Sequence, residues 1–470
     1  MFLDRANELA DMEARYASQQ AEFVVLWGRR RVGKTSLVWA FCQGKPHVFY
    51  FSERASGDYL LRDFSHALRA AAEPETTISP DFTYPDWHTA FRQTAELATD
   101  DRFIVVIDEF PYLAESALGV STALQKAWDL HLSDSRLFLV LTGSSLSVMS
   151  HHVLDASAPL YGRHTWALEL KPLLIYDLPA FLPAYTPTQL VETYAVLGGM
   201  PGYVQQFDDQ RPVLDNVARQ IISVGGALFG TARLTVYEEM AEPGLNFKVL
   251  EVIASGAHKP ADIGRLAAIH DRHQLRRILL RLIEVGLVEA RRPLERDRGQ
   301  QRLPGYFVAD PYLRFWFRYI KPHASLLEMR EGENLVLEDV RDQWAQLVAP
   351  TWEDIARTHL WRLSARRQFP FRLEEVGFWF SGRAQLDVVG LNRGERRVVF
   401  GEAKWRRRPA TVQTLERLVE RSRAWLGRDP DWEVHYALFA RAFGQELREL
   451  AAAEGDVHLY TPEDILASGT

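Results

Sequence analysis

The chain has 470 residues, 47% of them hydrophobic and 25% charged, a length and balance that predict roughly three soluble globular domains. Its net charge of −7 hides two basic stretches: residues 241–330 carry 16 Lys/Arg against 10 Asp/Glu, and residues 351–408 carry 13 against 7, a pattern that points to polyanion contact at both places. The single cysteine, Cys42, excludes an internal disulfide and a Cys-based zinc site, as befits a reducing cytoplasm.

The N-terminal stretch MFLDRANELADMEARY is charged, with no apolar signal-peptide core. No apolar run approaches the roughly 20 residues that span a bilayer. The expectation is a cytoplasmic protein without membrane contact. Residues 23–27 (FVVLW) predict a buried strand, residues 34–42 a helix, residues 47–51 a second strand and residues 58–72 a second helix. A loop punctuated by Pro74, Pro80 and Pro85 follows. Residues 103–107 (FIVVI) and 137–142 (LFLVLT) are continuous apolar runs, the mark of parallel strands buried on both faces. The alternation predicts an α/β domain with a mostly parallel sheet.

Gly28-Arg29-Arg30-Arg31-Val32-Gly33-Lys34-Thr35 fits the P-loop pattern G-x-x-x-x-G-K-[ST], between a strand and a helix, with Ser36 next in the segment. Its glycines let backbone N–H groups turn toward phosphate oxygens, and the helix N-terminus adds its positive end. Lys34 is expected on the β- and γ-phosphates of ATP and Thr35 on Mg²⁺. Asp108 and Glu109 end the FIVVI strand, where Asp108 binds the nucleotide's Mg²⁺ and Glu109 polarises the attacking water. The 137–142 strand ends in Thr142-Gly143-Ser144-Ser145; Ser144 is either a γ-phosphate sensor or part of a turn. Arg163, in Leu-Tyr-Gly-Arg, is either a solvated arginine or a stabiliser of phosphoryl charge, in its own subunit or in a neighbouring copy of a homo-oligomer.

Residues 176–240 read as a small helical lid broken by Gly198, Gly199, Pro201 and Gly202. In 272–283 (RHQLRRILLRLI), Leu275, Ile278, Leu279, Leu282 and Ile283 form one apolar helix face. Arg272, Arg276, Arg277 and Arg281 occupy the other side. A short helix at 262–268 precedes it, and an extended arginine-rich stretch (Arg291, Arg292, Arg296, Arg298, Arg302) runs to Tyr306-Phe-Val. That is the order of a winged helix over 241–325. The alternatives are DNA contact and protein docking. Residues 326–345 are charged and serve as a linker.

Residues 346–470 return to mixed α/β. The stretches 384–391 and 396–404 are expected as antiparallel strands joined at Asn392-Arg-Gly394, bringing Asp387 near Glu402. Glu402 and Lys404 are two apart and share a face. Two carboxylates then bind Mg²⁺ or Mn²⁺, and Lys404 orients water or stabilises phosphate charge. Arg406, Arg407 and Arg408 offer backbone affinity for DNA. The alternative is a salt-bridge set on a strand surface. The D…E-x-K arrangement resembles the PD-(D/E)xK nuclease fold, with Leu386 where that motif usually has proline, and with Glu353 as its upstream acidic metal residue.

Residues 1–240 resemble the archaeal-type ATPases of the AAA+/STAND group. The matching segments are Arg5-Ala-Asn-Glu8-Leu9, the P-loop, Asp108-Glu109-Phe-Pro, Gly143-Ser144, Leu160-Tyr-Gly-Arg163 and Gly198-Gly-Met-Pro201. The resemblance implies that Arg5 lies near the adenine. It also implies a winged helix and nuclease-like region after the ATPase. The expected architecture is a P-loop core (1–175), helical lid (176–240), winged helix (241–325), linker (326–345) and small nuclease-like α/β domain (346–470). The expected function is ATP-regulated, Mg²⁺-dependent DNA cleavage. The alternatives are an ATPase signalling switch whose nuclease-like domain only binds, and a DNA-binding transcription regulator.

Overall fold

The computed structural model describes residues 5–144, 146–239, 243–296, 303–381, 384–427 and 431–467. The chain divides into two compact units, Met1–Pro172 and Leu173–Thr470.

The first unit is built on five parallel strands: β1 (Glu22–Trp27), β2 (His47–Phe51), β3 (Phe103–Asp108), β4 (Leu137–Gly143) and β5 (Trp166–Glu169). They are ordered β2-β3-β4-β1-β5. The apolar runs of β1, β3 and β4 are buried almost throughout, because helices cover both faces of a parallel sheet. β4 lies between the strand that feeds the P-loop and the strand that ends in Asp108. Helix Lys34–Cys42 follows the P-loop as expected. Helix Gly57–Ala72 is capped by Ser56, whose side chain accepts from Tyr59 N. Beyond the proline loop, Asp86 caps a further helix, Trp87–Leu97.

The second unit is one body. It joins the segment expected as a lid, the basic helical segment and the C-terminal α/β region. Helices Pro243–Ala254, Pro260–Leu266 and Arg272–Glu284 precede a two-stranded antiparallel ribbon of β6 (Val288–Arg291) and β7 (Gly305–Val308). This is the order expected of a winged helix; Arg298 and Arg302 lie outside the described residues. The segment 326–345, expected as a linker, instead contains helix Glu333–Asp342, which buries Val336 and Val340. These valines are four apart and lie on one helix face, so the charged segment carries a narrow apolar stripe.

The C-terminal sheet runs β12-β11-β10-β9-β8: β8 (Glu375–Ser381), β9 (Ala384–Asn392), β10 (Arg397–Lys404), β11 (Glu433–Ala440) and β12 (Val457–Tyr460). β8, β9 and β10 are antiparallel neighbours, while β11 and β12 continue in parallel with β10. Helix Trp344–Ala365 precedes the sheet, and Val412–Leu426 connects β10 to β11. Trp352, on the long helix, is fully buried, and its Nε1 donates to Phe439 O at 3.1 Å. Trp352→Ala should therefore cost about 3–5 kcal/mol from cavity formation. Urea unfolding of the second unit checks this; an unchanged midpoint would mean that the helix contributes little to the sheet's stability.

Candidate active sites

The P-loop wraps the N-terminus of helix Lys34–Cys42. Gly33, at φ 98°, caps that helix in a conformation that penalises side chains. An added methyl at Gly28 would collide with the Leu170 carbonyl. Lys34 is buried, and its Nζ donates to Gly28 O at 2.8 Å. Val32 is buried while Arg31 and Ser36 are exposed. Arg30 bonds the Tyr112 hydroxyl. Arg5 donates to Lys171 O at 2.5 Å and Val32 O at 3.3 Å, and pairs with Glu8 at 3.2 Å. The opening Arg-x-x-Glu segment is thereby tied to the back of the P-loop.

β3 and β4 bring the acidic half of the site to Lys34 and Thr35. Asp108 is buried; its Oδ2 accepts from Thr35 Oγ1 at 2.9 Å and its Oδ1 from Thr142 Oγ1. Burial pushes its carboxyl above the usual range, against the two threonine hydrogen bonds. Glu109 begins the next helix in a left-handed conformation, φ 54°, a strained placement that a functional position tolerates. Its Oε1 stands 3.9 Å from Lys34 Nζ, and its Oε2 accepts from Ser144 Oγ at 2.8 Å and Ser144 N at 3.1 Å. Ser144 thus orients Glu109. Thr35 and Asp108 offer hard oxygen donors of the kind Mg²⁺ takes beside water and phosphate oxygens.

Arg163 sits elsewhere in its hydrogen bonding. Its Nε and Nη2 each lie 2.8 Å from an Asp129 carboxylate oxygen, a bidentate fork that raises its pKa further.

In the second unit, the register that pairs Gly401 with Val388 places Asp387 opposite Glu402 on the adjoining strand. Both carboxylates are buried. Lys404 Nζ lies 2.6 Å from Glu402 Oε1 and 3.6 Å from Asp387 Oδ2. Asp387 Oδ2 also accepts from Ala403 N at 3.1 Å. The strand pairing expected from the turn at Asn392 is present, and it brings all three side chains together. Glu353 lies on helix Trp344–Ala365, and its carboxyl is pushed up to about 8, chiefly by burial and then by the Asp387 charge. Its carboxylate stands 3.9 Å from Arg357. Among the described residues, no group of three or more His, Cys, Asp and Glu side chains is arranged to hold a metal ion. A cation here would rest on Asp387, Glu402 and the oxygens of a bound phosphodiester, which suits Mg²⁺.

Arg272, Arg276 and Arg277 are exposed on the basic helix, and Arg281 pairs with Glu284 at 2.9 Å. Arg406, Arg407 and Arg408 are exposed directly after β10.

Residues 2–207 match a family described as an ATPase domain predominantly from Archaea, and residues 316–417 a family of archaeal and bacterial proteins of unknown function. The chain is 30% identical to an uncharacterized protein of Methanocaldococcus jannaschii over 465 residues, 99% of this chain and 100% of that protein. This chain and that protein belong to one family, and residues 2–207 form its archaeal-type ATPase domain. An uncharacterized ATP-binding protein of the same organism is 42% identical over 45 residues, 10% of this chain and 76% of that protein. Among solved structures, the Walker-type ATPase of Pyrococcus abyssi aligns with 20% identity and a TM-score of 0.49, over 67% of this chain and 96% of that one.

Three residues of this ATPase complete the sites without having stood out in its sequence. Thr142 ties β4 to both acids of the P-loop site: its hydroxyl donates to Asp108 and accepts from Glu109 N at 3.1 Å. Its signal was a hydroxyl residue at the tip of an otherwise apolar strand. Arg421, on helix Val412–Leu426, donates to Glu402 Oε2 at 2.5 Å. Its signal was an arginine one residue before Ser422, on the rim of the buried face of Leu415, Leu418, Ser422 and Trp425. Arg357 donates to Asp387 O at 2.5 Å and follows Glu353 by one helical turn. Among the described residues no helix is long and apolar enough to cross a membrane.

Proposed function

We propose that this ATPase is a nucleotide-controlled nuclease acting on DNA, in which ATP and Mg²⁺ at the P-loop govern phosphodiester cleavage at Asp387, Glu402 and Lys404. The convergence of those three side chains from neighbouring strands carries the reading. A bound Mg²⁺, or Mn²⁺ at the second site, supplies Lewis-acid charge to the phosphoryl group. Asp387 and Glu402 hold that cation, with Glu353 as a further acid behind them. Lys404 steadies the attacking water or the charge that builds on phosphate. At the P-loop, Lys34 grips the terminal phosphates, Thr35 and Asp108 hold the cation, and Glu109 polarises water under the control of Ser144. Arg163 joins this chemistry only when its fork leaves Asp129, within its own chain or toward a second copy. Arg272, Arg276, Arg277 and Arg281, with Arg406, Arg407 and Arg408, supply DNA backbone contacts.

Two contacts support coupling to the lid segment. Helix Pro187–Leu197 packs against helix Trp344–Ala365, which carries Glu353. Tyr176 Oη lies 3.1 Å from His359 Nδ1 on the same long helix. A shift of the lid segment thus bears directly on the helix behind the acidic site. The experiment is metal-dependent scission of supercoiled plasmid by the wild type, lost in Asp387→Asn; equal scission by the variant contradicts the proposal.

One observation favours a non-cleaving ATPase switch instead. Glu402 is already engaged by Lys404 on one oxygen and by Arg421 on the other, so a cation must share an oxygen with one of these positive groups or displace it. If Arg421 merely holds the site closed, Arg421→Gln should tighten Mn²⁺ binding about ten- to a hundredfold, the scale of one charge-assisted hydrogen bond. Electron paramagnetic resonance of bound Mn²⁺ measures this. Unchanged or weaker binding would leave Glu402 as a structural salt-bridge partner and favour the switch.

A further inference from the structure

A cavity of about 960 Å³ opens in the second unit between the basic helix Arg272–Glu284, the β6–β7 ribbon and β8. Aromatic rings stand among aliphatic and basic side chains in its walls. His258 and Phe307 stack with ring centroids 4.1 Å apart and planes 24° from parallel. Phe378 and Phe380, both on β8, present nearly parallel rings 6.2 Å apart. Phe380 is 43% exposed, although a large apolar ring gains by burial. Arg272 and Arg276 stand at the cavity from the exposed side of the basic helix. Flat aromatic faces beside guanidinium groups are what an unpaired base and its phosphate require. A duplex offers the phosphates but hides its base faces inside the stack.

The cavity also adjoins the acidic site. The Arg357 guanidinium lies 5.9 Å from the Phe378 ring centroid. The same guanidinium donates to Asp387 O at 2.5 Å. One side chain therefore separates the aromatic wall from the strand that carries Asp387.

We propose that this cavity receives unstacked bases of single-stranded nucleic acid, whose backbone runs on toward Asp387 and Glu402. The inference rests on the nuclease reading and specifies its substrate: a single strand, a frayed end or the locally unpaired stretch that negative supercoiling opens in a plasmid, rather than a fully paired linear duplex. Phe380 and Phe378 supply the stacking faces, and Arg272 and Arg276 the phosphate contacts.

The test is binding of a short oligonucleotide carrying 2-aminopurine, as a single strand and as a blunt duplex, to the full chain in EDTA. Phe380→Ala should weaken single-strand binding about five- to a hundredfold, the worth of one lost stacking face. Duplex affinity should stay unchanged. Phe380→Tyr, which keeps the ring, should bind as the wild type does. Arg276→Ala should flatten the salt dependence of single-strand binding. Single-strand affinity indifferent to Phe380→Ala overturns the proposal, as does equal loss for single strand and duplex. Displacement of an apolar probe by laurate, with no effect of Phe380→Ala on the oligonucleotide, assigns the cavity to an amphiphilic acid and also overturns it. Because no cleavage is measured, a protein that binds through Phe380 but never cuts refutes the nuclease reading alone. One that cuts but binds indifferently to Phe380 refutes this inference alone.

Discussion

Glu109→Gln should lower ATP turnover about a thousandfold, within the range for loss of a positioned general base, while nucleotide affinity stays within about threefold of the wild type. The asymmetry follows from the geometry. Glu109 does not hold the P-loop together: Gly33 caps its helix, Lys34 is anchored on loop carbonyls, and Asp108 is held by Thr35 and Thr142. Glutamine keeps the length and an oxygen that can accept from Ser144, but it removes the charge that the proposed reaction uses on water. Ser144→Ala should fall between, with a loss of about tenfold, because Ser144 N still bonds Glu109 Oε2 at 3.1 Å. Steady-state phosphate release and fluorescent nucleotide titration separate the two effects. A variant that loses affinity in step with turnover would show that Glu109 supports the loop instead.

Asp387→Asn and Lys404→Ala should each reduce metal-dependent DNA scission by about a hundredfold or more. Asparagine can still accept the hydrogen bond from Ala403 N, so the strand pair keeps its shape while the site loses a charge. Lys404 is a third exposed at the strand end, so its truncation leaves the buried sheet core intact. Neither change should alter ATP binding if the two sites are separate chemical centres. Initial rates of plasmid nicking at saturating Mn²⁺, beside ATP turnover of the same preparations, check both claims. Wild-type scission rates in both variants would locate any nuclease activity elsewhere.

The parts of these sites that were legible in the sequence are local. The P-loop joins a strand to a helix, so eight consecutive residues specify its shape. The turn at residues 393–396 sets the β9–β10 register, pairing Asn392 with Arg397 and so Asp387 with Glu402; the sequence shows that a hairpin is there, but it suggests a turn starting one residue early, at Asn392, which leaves the two acids near each other without fixing them opposite. Buried parallel strands announce themselves as apolar runs, as β3 and β4 do. β5 is four residues long and largely half-exposed, so neither periodicity nor an apolar run marks it. Arg421 reaches Glu402 only through the packing of a helix across the sheet, 19 residues along the chain. Thr142 and Ser144 are two residues apart on one strand end; which acid each meets depends on the spacing of β3 and β4. Helix Glu333–Asp342 leaves little mark in the sequence because its two buried valines are outnumbered by charges. The unit boundary at Pro172 leaves no local mark either, because it reflects how the segment expected as a lid packs with the C-terminal sheet region.

Coupling between nucleotide and cleavage is the central claim. Its most direct measurement is the rate of supercoiled plasmid scission by the wild type, Lys34→Ala and Lys404→Ala, in Mg²⁺ with and without ATP. The wild type should cut at a rate that changes with ATP, Lys34→Ala at a rate that ignores ATP, and Lys404→Ala about a hundredfold more slowly or not at all. Intact ATP turnover in a wild type that leaves DNA uncut in Mg²⁺ or Mn²⁺, with ATP or without, would contradict it and leave an ATPase switch with a non-cleaving partner domain.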